Sequence, residues 1–288
     1  MTLDDWRRAG HPFDFRGHSI FYREGGTGEA LLCLHGFPTA SWDWHRLWPA
    51  LTARYRVIAP DFLGFGFSAK PHPHPYHFGE QTDLVESLLA HLGLRRVLVL
   101  AHDYGDTVAQ ELLARHATRP GYALDLRAVC LLNGGLFPEA IRPRPIQRLL
   151  EGPLGPLVAA VLTERRFRTS FSAVFGPATQ PTPAELADFW RLVRHGGGVR
   201  VAPRLSRYQQ ERRDRRDRWT AALRDTAVPL RLVCGALDPV SGAPIAARYR
   251  EVIPRPDVAM LDDVGHYPQI EAPERVLGAF LDFVDRVG

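Results

Sequence analysis

Residues 97–113 read VLVLAHDYGDTVAQELL, an apolar run followed directly by a segment with helical spacing. The small residues Ala101 and Gly105 allow the sharp turn that such a strand-to-helix junction requires. A turn of this kind holds its central side chain, here Asp103, exposed at the end of the strand. The stretch therefore predicts a strand, a tight turn and a helix, with Asp103 either as a nucleophile or as a cap of the helix.

Similar apolar runs lie on both sides of this unit, at residues 30–35, 55–60, 128–133, 230–235 and 258–261. Most of them are separated by segments with helical spacing, among them residues 81–92 and 272–287. Residues 13–24 instead alternate apolar and polar side chains around Gly17, which predicts an antiparallel pair at the start. Continuous apolar strands joined by helices are typical of the α/β class, in which helices cover both faces of a mostly parallel sheet.

Residues 136–225 show no clear strand pattern and contain helical patches, such as residues 184–193 and 205–222, separated by proline-rich turns. Ligands bind at the carboxyl ends of the strands in open α/β sheets, and an insertion of this size would enclose that crevice. We therefore predict a core of residues 1–135 and 226–288, with an inserted helical cap of residues 136–225.

The charged residues are nearly balanced, with 36 Lys and Arg against 32 Asp and Glu. The main local excess lies in residues 207–218, where arginines are interleaved with acidic residues. Mixed charges at this spacing are typical of a solvated helix face. A phosphate-binding patch is the alternative, but no aromatic platform accompanies it, so we expect no nucleic-acid partner.

The three cysteines lie inside apolar runs, which predicts buried thiols and a reducing compartment. Residues 1–10 are too polar for a signal peptide, and the apolar window at residues 153–162 is far shorter than the roughly 20 residues that span a bilayer. The histidines at residues 72–77 are interleaved with prolines and predict a loop rather than a metal site. We expect a cytoplasmic monomer or homodimer with no membrane span, no metal and no cofactor.

Two further residues follow strand-like runs at positions that suit catalysis. Asp238 comes after the run at 230–235, and His266 comes after the run at 258–261. Either residue alone would be interpreted as structural. With Asp103 they follow the order nucleophile, acid, histidine, and together they predict a catalytic triad.

The segment HGFPT at residues 35–39 ends another apolar run. Its geometry would aim the backbone N–H of Phe37 at the same site, where the N–H of Tyr104 would complete an oxyanion hole. A plain turn is the alternative. Aromatic and histidine side chains in and near these motifs predict the walls of a hydrophobic pocket: His35, Phe37, Trp42, Trp44, His102 and Phe137.

The chain resembles the epoxide hydrolase and haloalkane dehalogenase branch of the α/β-hydrolase superfamily in four motifs: HGFPT, DFLGFGFS at residues 61–68, HDYGDTVA at 102–109 and GHYPQIE at 265–271. Within that branch it is most similar to the mesoderm-specific transcript protein family, in HDYGDTVAQELL, LNGGLFPE at residues 132–139 and LDPV at 237–240. The resemblance implies an α/β-hydrolase fold, a cap and the triad, and it leaves the substrate open.

An aspartate nucleophile implies a particular chemistry. Its reference pKa is about 3.9, so it is ionised at pH 7 and needs no base before it attacks, whereas a serine does. Attack of Asp103 on a saturated carbon would leave an ester, and His266, oriented by Asp238, would activate the water that hydrolyses it. The sequence thus predicts a hydrolase that acts on a small hydrophobic molecule through a covalent intermediate.

The leaving group separates two reactions. The resemblance implies that cap tyrosines protonate an epoxide oxygen, and Tyr208 is the single candidate in residues 136–225. Halide release would call for a Trp after the nucleophile and a second Trp or Asn, where this chain has Tyr104 and Phe37; the acid of some dehalogenases corresponds to Asn133. We therefore predict epoxide hydrolysis first and haloalkane hydrolysis second. A non-catalytic binding or signalling protein is a third possibility, which the intact triad disfavours.

Overall fold

The structure is a computed structural model that describes residues 1–287. Within that range one sheet contains eight strands: β1 (Gly10–Phe15), β2 (His18–Gly25), β3 (Ala30–Leu34), β4 (Arg56–Pro60), β5 (Arg96–His102), β6 (Asp125–Leu132), β7 (Leu230–Gly235) and β8 (Val258–Leu261). Their spatial order is β1-β2-β4-β3-β5-β6-β7-β8. β2 is antiparallel to β1 and β4, and all other neighbours are parallel. The mostly parallel sheet and its antiparallel start confirm the predicted fold class.

Helices connect and cover these strands: α1 (Leu3–Arg8), α2 (Trp48–Thr52), α3 (Phe78–His91), α4 (Tyr104–Thr118), α5 (Pro145–Glu151), α6 (Gly155–Ala160), α7 (Glu164–Ser172), α8 (Pro183–Arg194), α9 (Gly198–Leu205), α10 (Tyr208–Asp214), α11 (Arg216–Asp225), α12 (Ala243–Val252), α13 (Pro268–Glu271) and α14 (Pro273–Val287). The positions of α3, α4 and α14 confirm the helical spacing of the sequence. Within residues 1–287, none of the helices combines the length and the hydropathy needed to cross a bilayer.

Strands β3 to β7 are buried on both faces because their residues alternate between two hydrophobic layers. In β3, Leu32 and Leu34 belong to one layer, whereas Leu31 and Cys33 belong to the other. The first layer includes side chains of α3, α4, α11 and α12, and the second includes side chains of α1, α2 and α14. Burying one aliphatic side chain contributes roughly 2 kcal/mol, so both helical layers stabilise the sheet. All three cysteines are buried, as the sequence predicts.

The segment between β6 and β7 contains α5 to α11 and, among the residues described, no strand. The helical patch at residues 205–222 is divided, because α9 ends at Leu205 and Arg215 separates α10 from α11. α11 contacts α4 directly, and the indole N–H of Trp219 donates a hydrogen bond to Glu111 in α4 at 2.9 Å. The last helix of the segment is thus attached to the helix that begins at the candidate site.

Candidate active site

Asp103 occupies the sharp turn between β5 and α4. Its backbone has φ 45° and ψ −98°, a conformation that residues other than glycine rarely adopt. The turn is tight because α4 begins close to β3: a Cβ atom on Gly105 would lie 2.5 Å from the backbone oxygen of Leu34. A Cβ atom on Gly36 would likewise lie 2.6 Å from Nδ1 of His102. Glycine at these two positions therefore lets the surrounding loops close around Asp103.

The carboxylate of Asp103 does not cap α4. Although Asp103 stands at the N-cap position, its side chain makes no capping hydrogen bond. Its Oδ2 instead accepts a hydrogen bond from the backbone N–H of Phe37 at 3.0 Å. Tyr104 is the first residue of α4, where backbone N–H groups lack an intrahelical acceptor. The N–H of Phe37, one of the two donors expected for an oxyanion hole, therefore contacts the carboxylate directly.

The three residues expected to form a triad lie together. His266 Nε2 lies 4.0 Å from Oδ2 of Asp103, and His266 Nδ1 lies 2.8 Å from Oδ2 of Asp238. All three side chains are buried. They follow β5, β7 and β8, so the sheet brings three distant parts of the chain to the carboxyl ends of its strands. The arrangement suits a nucleophile, a base and an acid that orients the base.

Asp238 is held by several further groups. The Val240 N–H donates to Oδ1 at 2.7 Å, and the side-chain amide of Asn133 donates to Oδ2 at 2.8 Å. The hydroxyl of Ser241 also lies 2.8 Å from Oδ2. Asn133 is fixed in turn by the N–H of Gly235, which donates to its Oδ1 at 2.7 Å. Asn133 therefore positions the acid, a role that sequence reasoning missed because it treated this residue only as an uncharged replacement.

Charge and hydrogen bonding set the protonation state of His266. Burial disfavours its charged form, but the charge and hydrogen bond of Asp238, together with the charge of Asp103, raise the pKa of His266 to about 9. Burial acts to raise the pKa of Asp238, yet the charge and hydrogen bond of His266 hold it below its ordinary value. At neutral pH the resting site therefore contains an imidazolium beside the Asp238 carboxylate.

Arg212 in α10 is a buried cation beside Asp103. It is 2% exposed, and its guanidinium donates to the backbone oxygen of Asp103 and to the hydroxyl of Thr107, both at 2.8 Å. Its Nη2 also lies 3.4 Å from Oδ1 of Asp103. The interpretation of residues 207–218 as a solvated helix face is therefore wrong for Arg212, because this side of α10 faces the core. It is right for Arg216, whose side chain is about half exposed.

Tyr208 begins α10 and lies at the same site. Its ring is buried, and the ring centroid lies 5.4 Å from the centroid of the Phe37 ring and 5.4 Å from that of the Tyr104 ring. The side-chain amide of Gln209 donates to the Tyr208 hydroxyl at 3.1 Å, so the hydroxyl can still donate its own proton. Burial, reinforced by the charge of Asp103, raises the pKa of Tyr208 above its ordinary value. A protonated phenol therefore lies close enough to Asp103 to feel its charge.

A cavity of about 510 Å³ opens beside His266. Phe37 lines it, as the sequence predicts. Most of its wall is apolar and comes from the segment between β6 and β7, including Ile146, Leu150, Val158, Leu162, Phe167 and Phe171. The expectation of a hydrophobic pocket therefore agrees with the cavity, although most of the lining residues are not those that the sequence suggested.

The lining that the structure describes does not include five of the side chains predicted for the pocket: His35, Trp42, Trp44, His102 and Phe137. Trp42 instead stacks on His45 with ring centroids 4.1 Å apart, in the layer that contains α1 and α2. His102 Nε2 lies 2.7 Å from the backbone oxygen of His266 and supports the loop that carries it. His102 therefore braces the loop that carries His266, and Trp42 and Trp44 pack in the hydrophobic layer instead of forming the cavity wall.

Comparison with known proteins agrees with this fold. The model of the alpha/beta hydrolase family matches residues 31–279. The mesoderm-specific transcript protein of Mus musculus is 44% identical over 295 residues, which cover 99% of this chain and 88% of the mouse protein.

Two solved enzyme structures share the fold. The haloalkane dehalogenase DatA from Agrobacterium tumefaciens C58 matches with a TM-score of 0.80 and 22% identity, covering 97% of each chain. The epoxide hydrolase CorEH matches with a TM-score of 0.77 and 23% identity, covering 97% of this chain and 99% of the enzyme. The chain therefore belongs to the alpha/beta hydrolase family, in which it is related to the mesoderm-specific transcript proteins.

Proposed function

We propose that this hydrolase opens a small hydrophobic epoxide through a covalent ester on Asp103 and releases a diol. The observation that carries the proposal is the geometry around Oδ2 of Asp103. This oxygen lies 3.0 Å from the backbone nitrogen of Phe37 and 4.0 Å from Nε2 of His266, and Nδ1 of His266 lies 2.8 Å from Oδ2 of Asp238. A serine nucleophile is absent from this position, so direct ester hydrolysis by an activated hydroxyl is not the reaction. The apolar cavity beside His266 supports a hydrophobic substrate.

In the first step, a carboxylate oxygen of Asp103 attacks one ring carbon of the epoxide and the carbon–oxygen bond breaks. Tyr208 donates its proton to the oxygen that leaves, which gives a hydroxyalkyl ester and a phenolate. The raised pKa of Tyr208 keeps the phenol protonated until that moment. General acids of this kind contribute roughly 10²–10⁴-fold to a rate.

Formation of the ester lowers the pKa of His266. The ester carries no charge, so one of the causes that raise the pKa of His266 to about 9 disappears. The imidazolium can then lose its proton while the Tyr208 phenolate regains one. The neutral imidazole is available as a base at the stage that requires it.

In the second step, His266 takes a proton from a water molecule, and the resulting hydroxide attacks the ester carbonyl. The N–H of Phe37, which contacts Oδ2 of Asp103, stabilises the negative charge on the carbonyl oxygen. The ester bond breaks, and the proton of the new Asp103 carboxyl group neutralises the departing alkoxide. The diol leaves, and the site returns to its starting protonation state.

Release of a halide has less support. Halide sites need N–H donors, and the lining of the cavity contains no tryptophan among the residues described. Tyr104, which follows Asp103, is buried, and the centroid of its ring lies 4.5 Å from the centroid of the Phe78 ring. A haloalkane remains a useful probe, because its adduct on Asp103 would carry an alkyl group in place of a hydroxyalkyl group.

The test is to trap the ester in a His266→Ala variant. We expect mass spectrometry of the peptide that contains Asp103 to show the added mass of styrene oxide or 1,2-epoxyoctane after incubation. The matched Asp103→Asn variant should show no adduct. An alkyl adduct from 1-bromohexane without any epoxide adduct would replace the epoxide assignment by haloalkane hydrolysis. Absence of an adduct from all three compounds in His266→Ala would overturn the covalent mechanism.

A further inference from the structure

Helices α5 and α6 and the two residues that flank α6 expose large apolar side chains to solvent. Four residues there are 48–66% exposed and form what we call the apolar patch: Leu149, Leu154, Leu157 and Val161. Among the other residues described, only Met1 and Leu237 are large, apolar and comparably exposed. The sequence of α6, GPLVAA, contains no polar side chain, although a surface helix normally has a polar face. A patch of this kind marks a surface that binds something.

The same segment carries a group of arginines without acidic partners. Within residues 1–287, none of the following makes an ion pair: Arg142, Arg144, Arg148, Arg165 and Arg166. The acidic residues between positions 140 and 170 are Glu151 and Glu164, and both are already paired, with Arg213 and Arg168. The apolar patch is therefore bordered by uncompensated positive charge, in a protein whose total charge is only +4.

One residue of the apolar patch and two of the arginines lie where the cavity meets a surface depression, which we take as the entrance of the cavity. Arg144, Val161 and Arg166 line the cavity, and the same three residues line a shallow surface depression together with Arg165. The opposite sides of α5 and α6 face inward, where Leu150 and other side chains form the cavity wall. A hydrophobic molecule that crosses this entrance would thus pass between apolar surfaces and positive charge.

We propose that this face docks on the surface of an anionic lipid bilayer, so that the entrance of the cavity lies against the lipid. Exposed leucines would enter the boundary between headgroups and acyl chains, while the arginines would contact anionic headgroups. Docking of this kind needs no membrane-spanning helix. It also does not depend on the reaction proposed for Asp103.

Two other occupants fit the surface less well. A symmetric dimer through this face would bring the same patch of each copy together, and the unpaired arginines of one copy would face those of the other. A nucleic acid would match the positive charge, but it would leave the exposed leucines without an apolar partner. An anionic bilayer satisfies both features of the surface.

Flotation of the full-length protein with vesicles tests the proposal. We expect at least tenfold stronger binding to vesicles of phosphatidylcholine and phosphatidylglycerol than to phosphatidylcholine alone, because each basic residue near such a surface strengthens binding roughly fivefold. Added salt should weaken that binding. Equal binding to both vesicles, or binding to neither, would overturn the proposal.

Paired variants separate the two contributions. Arg165→Glu/Arg166→Glu should lower binding to the anionic vesicles at least tenfold, and Leu154→Ser/Leu157→Ser should lower it as well. The matched control is Arg95→Glu, an exposed arginine just before β5, which lies at the opposite end of the sheet and should bind like the wild type. Full binding by both pairs of variants would overturn the proposal, as would a dimer in light scattering that the leucine variant dissociates. Asp103→Asn should bind like the wild type, so that failure of docking and failure of the proposed reaction are distinguishable.

Discussion

The core and the segment between β6 and β7 contribute to the candidate site in different ways. The core supplies Asp103, Asp238 and His266 from loops at the ends of parallel strands, where backbone geometry and buried hydrogen bonds fix each side chain. The helical segment supplies Tyr208 and Arg212 from one short helix, and most of the cavity wall. In the proposed mechanism the core therefore determines how Asp103 reacts, whereas the helices determine which molecules reach it and how the leaving group is stabilised.

Changes in specificity should arise in the helical segment rather than in the core. The triad depends on the register of the sheet, so its members cannot move independently of the fold. The cavity wall depends on side chains of α5 to α7, which contact solvent on one side and the cavity on the other. Substitutions in the core should therefore remove the reaction, while substitutions in the helical segment should change its substrate or its rate.

The largest effect should come from Asp238→Asn. Oδ2 of Asp238 accepts a hydrogen bond from the side-chain amide of Asn133 and faces Nδ1 of His266. An amide nitrogen in place of this oxygen would face the N–H donor of Asn133, and the substitution would also remove the negative charge that orients His266. We expect turnover of an epoxide to fall by about 10³-fold or more. Steady-state kinetics measures this, and thermal unfolding checks that the variant is folded. A loss smaller than that of Tyr208→Phe would contradict the division of roles between core and helices.

The core could be predicted well because its signals are local. Asp103 lies in a strand, turn and helix of contiguous residues, and two-residue alternation within β3 assigns its side chains to opposite layers. The position of each triad member after a strand places it at the same edge of the sheet. The approach of His266 to Asp103 and the hydrogen bond from Asn133 to Asp238 require the three-dimensional structure.

The helical segment could be predicted only in outline. The mixed charges of residues 207–218 suggest a solvated face, but tertiary contacts decide which side of α10 is buried. A usable signal was present: Tyr208 and Arg212 are four residues apart and share one side of a helix. If Tyr208 faces the nucleophile, Arg212 must lie near it too. The prediction that Trp42 forms part of the cavity wall was wrong for a related reason. The sequence does not show in which direction a short turn points its aromatic side chains.

The next largest effect is a loss of stability in Arg212→Gln. It is compared with a substitution of Arg216 in the same stretch. Arg212→Gln removes a buried charge near Oδ1 of Asp103, and breaking a buried pair costs about 3 kcal/mol. The matched control is Arg216→Gln, which removes an exposed pair with Glu139 and should cost no more than about 0.5 kcal/mol. Chemical denaturation measures both free energies of unfolding. Equal losses in the two variants would show that burial of Arg212 does not matter.

Tyr208→Phe tests the leaving-group role of the helical segment. Loss of the hydroxyl should slow the opening of an epoxide about 100-fold, because the departing oxygen would have no proton donor. Hydrolysis of an ester already formed should change little. Rapid quenching followed by mass spectrometry resolves formation and decay of the adduct on Asp103. Unchanged formation would assign Tyr208 to packing against Phe37 rather than to proton transfer.

The smallest effect is a pH dependence confined to the second step. Because Asp238 and Asp103 raise the pKa of His266 to about 9, and the ester removes the charge of Asp103, the pKa of His266 in the intermediate should lie below 9. Below that pKa the imidazole is protonated and cannot act as a base, so decay of the ester should slow about tenfold for each pH unit of acidification and reach a plateau above it. Single-turnover measurements of the adduct between pH 5 and pH 9 provide the profile. A decay rate that does not change with pH would mean that His266 is not the base. In that case the adduct in His266→Ala should decay as fast as in the wild type.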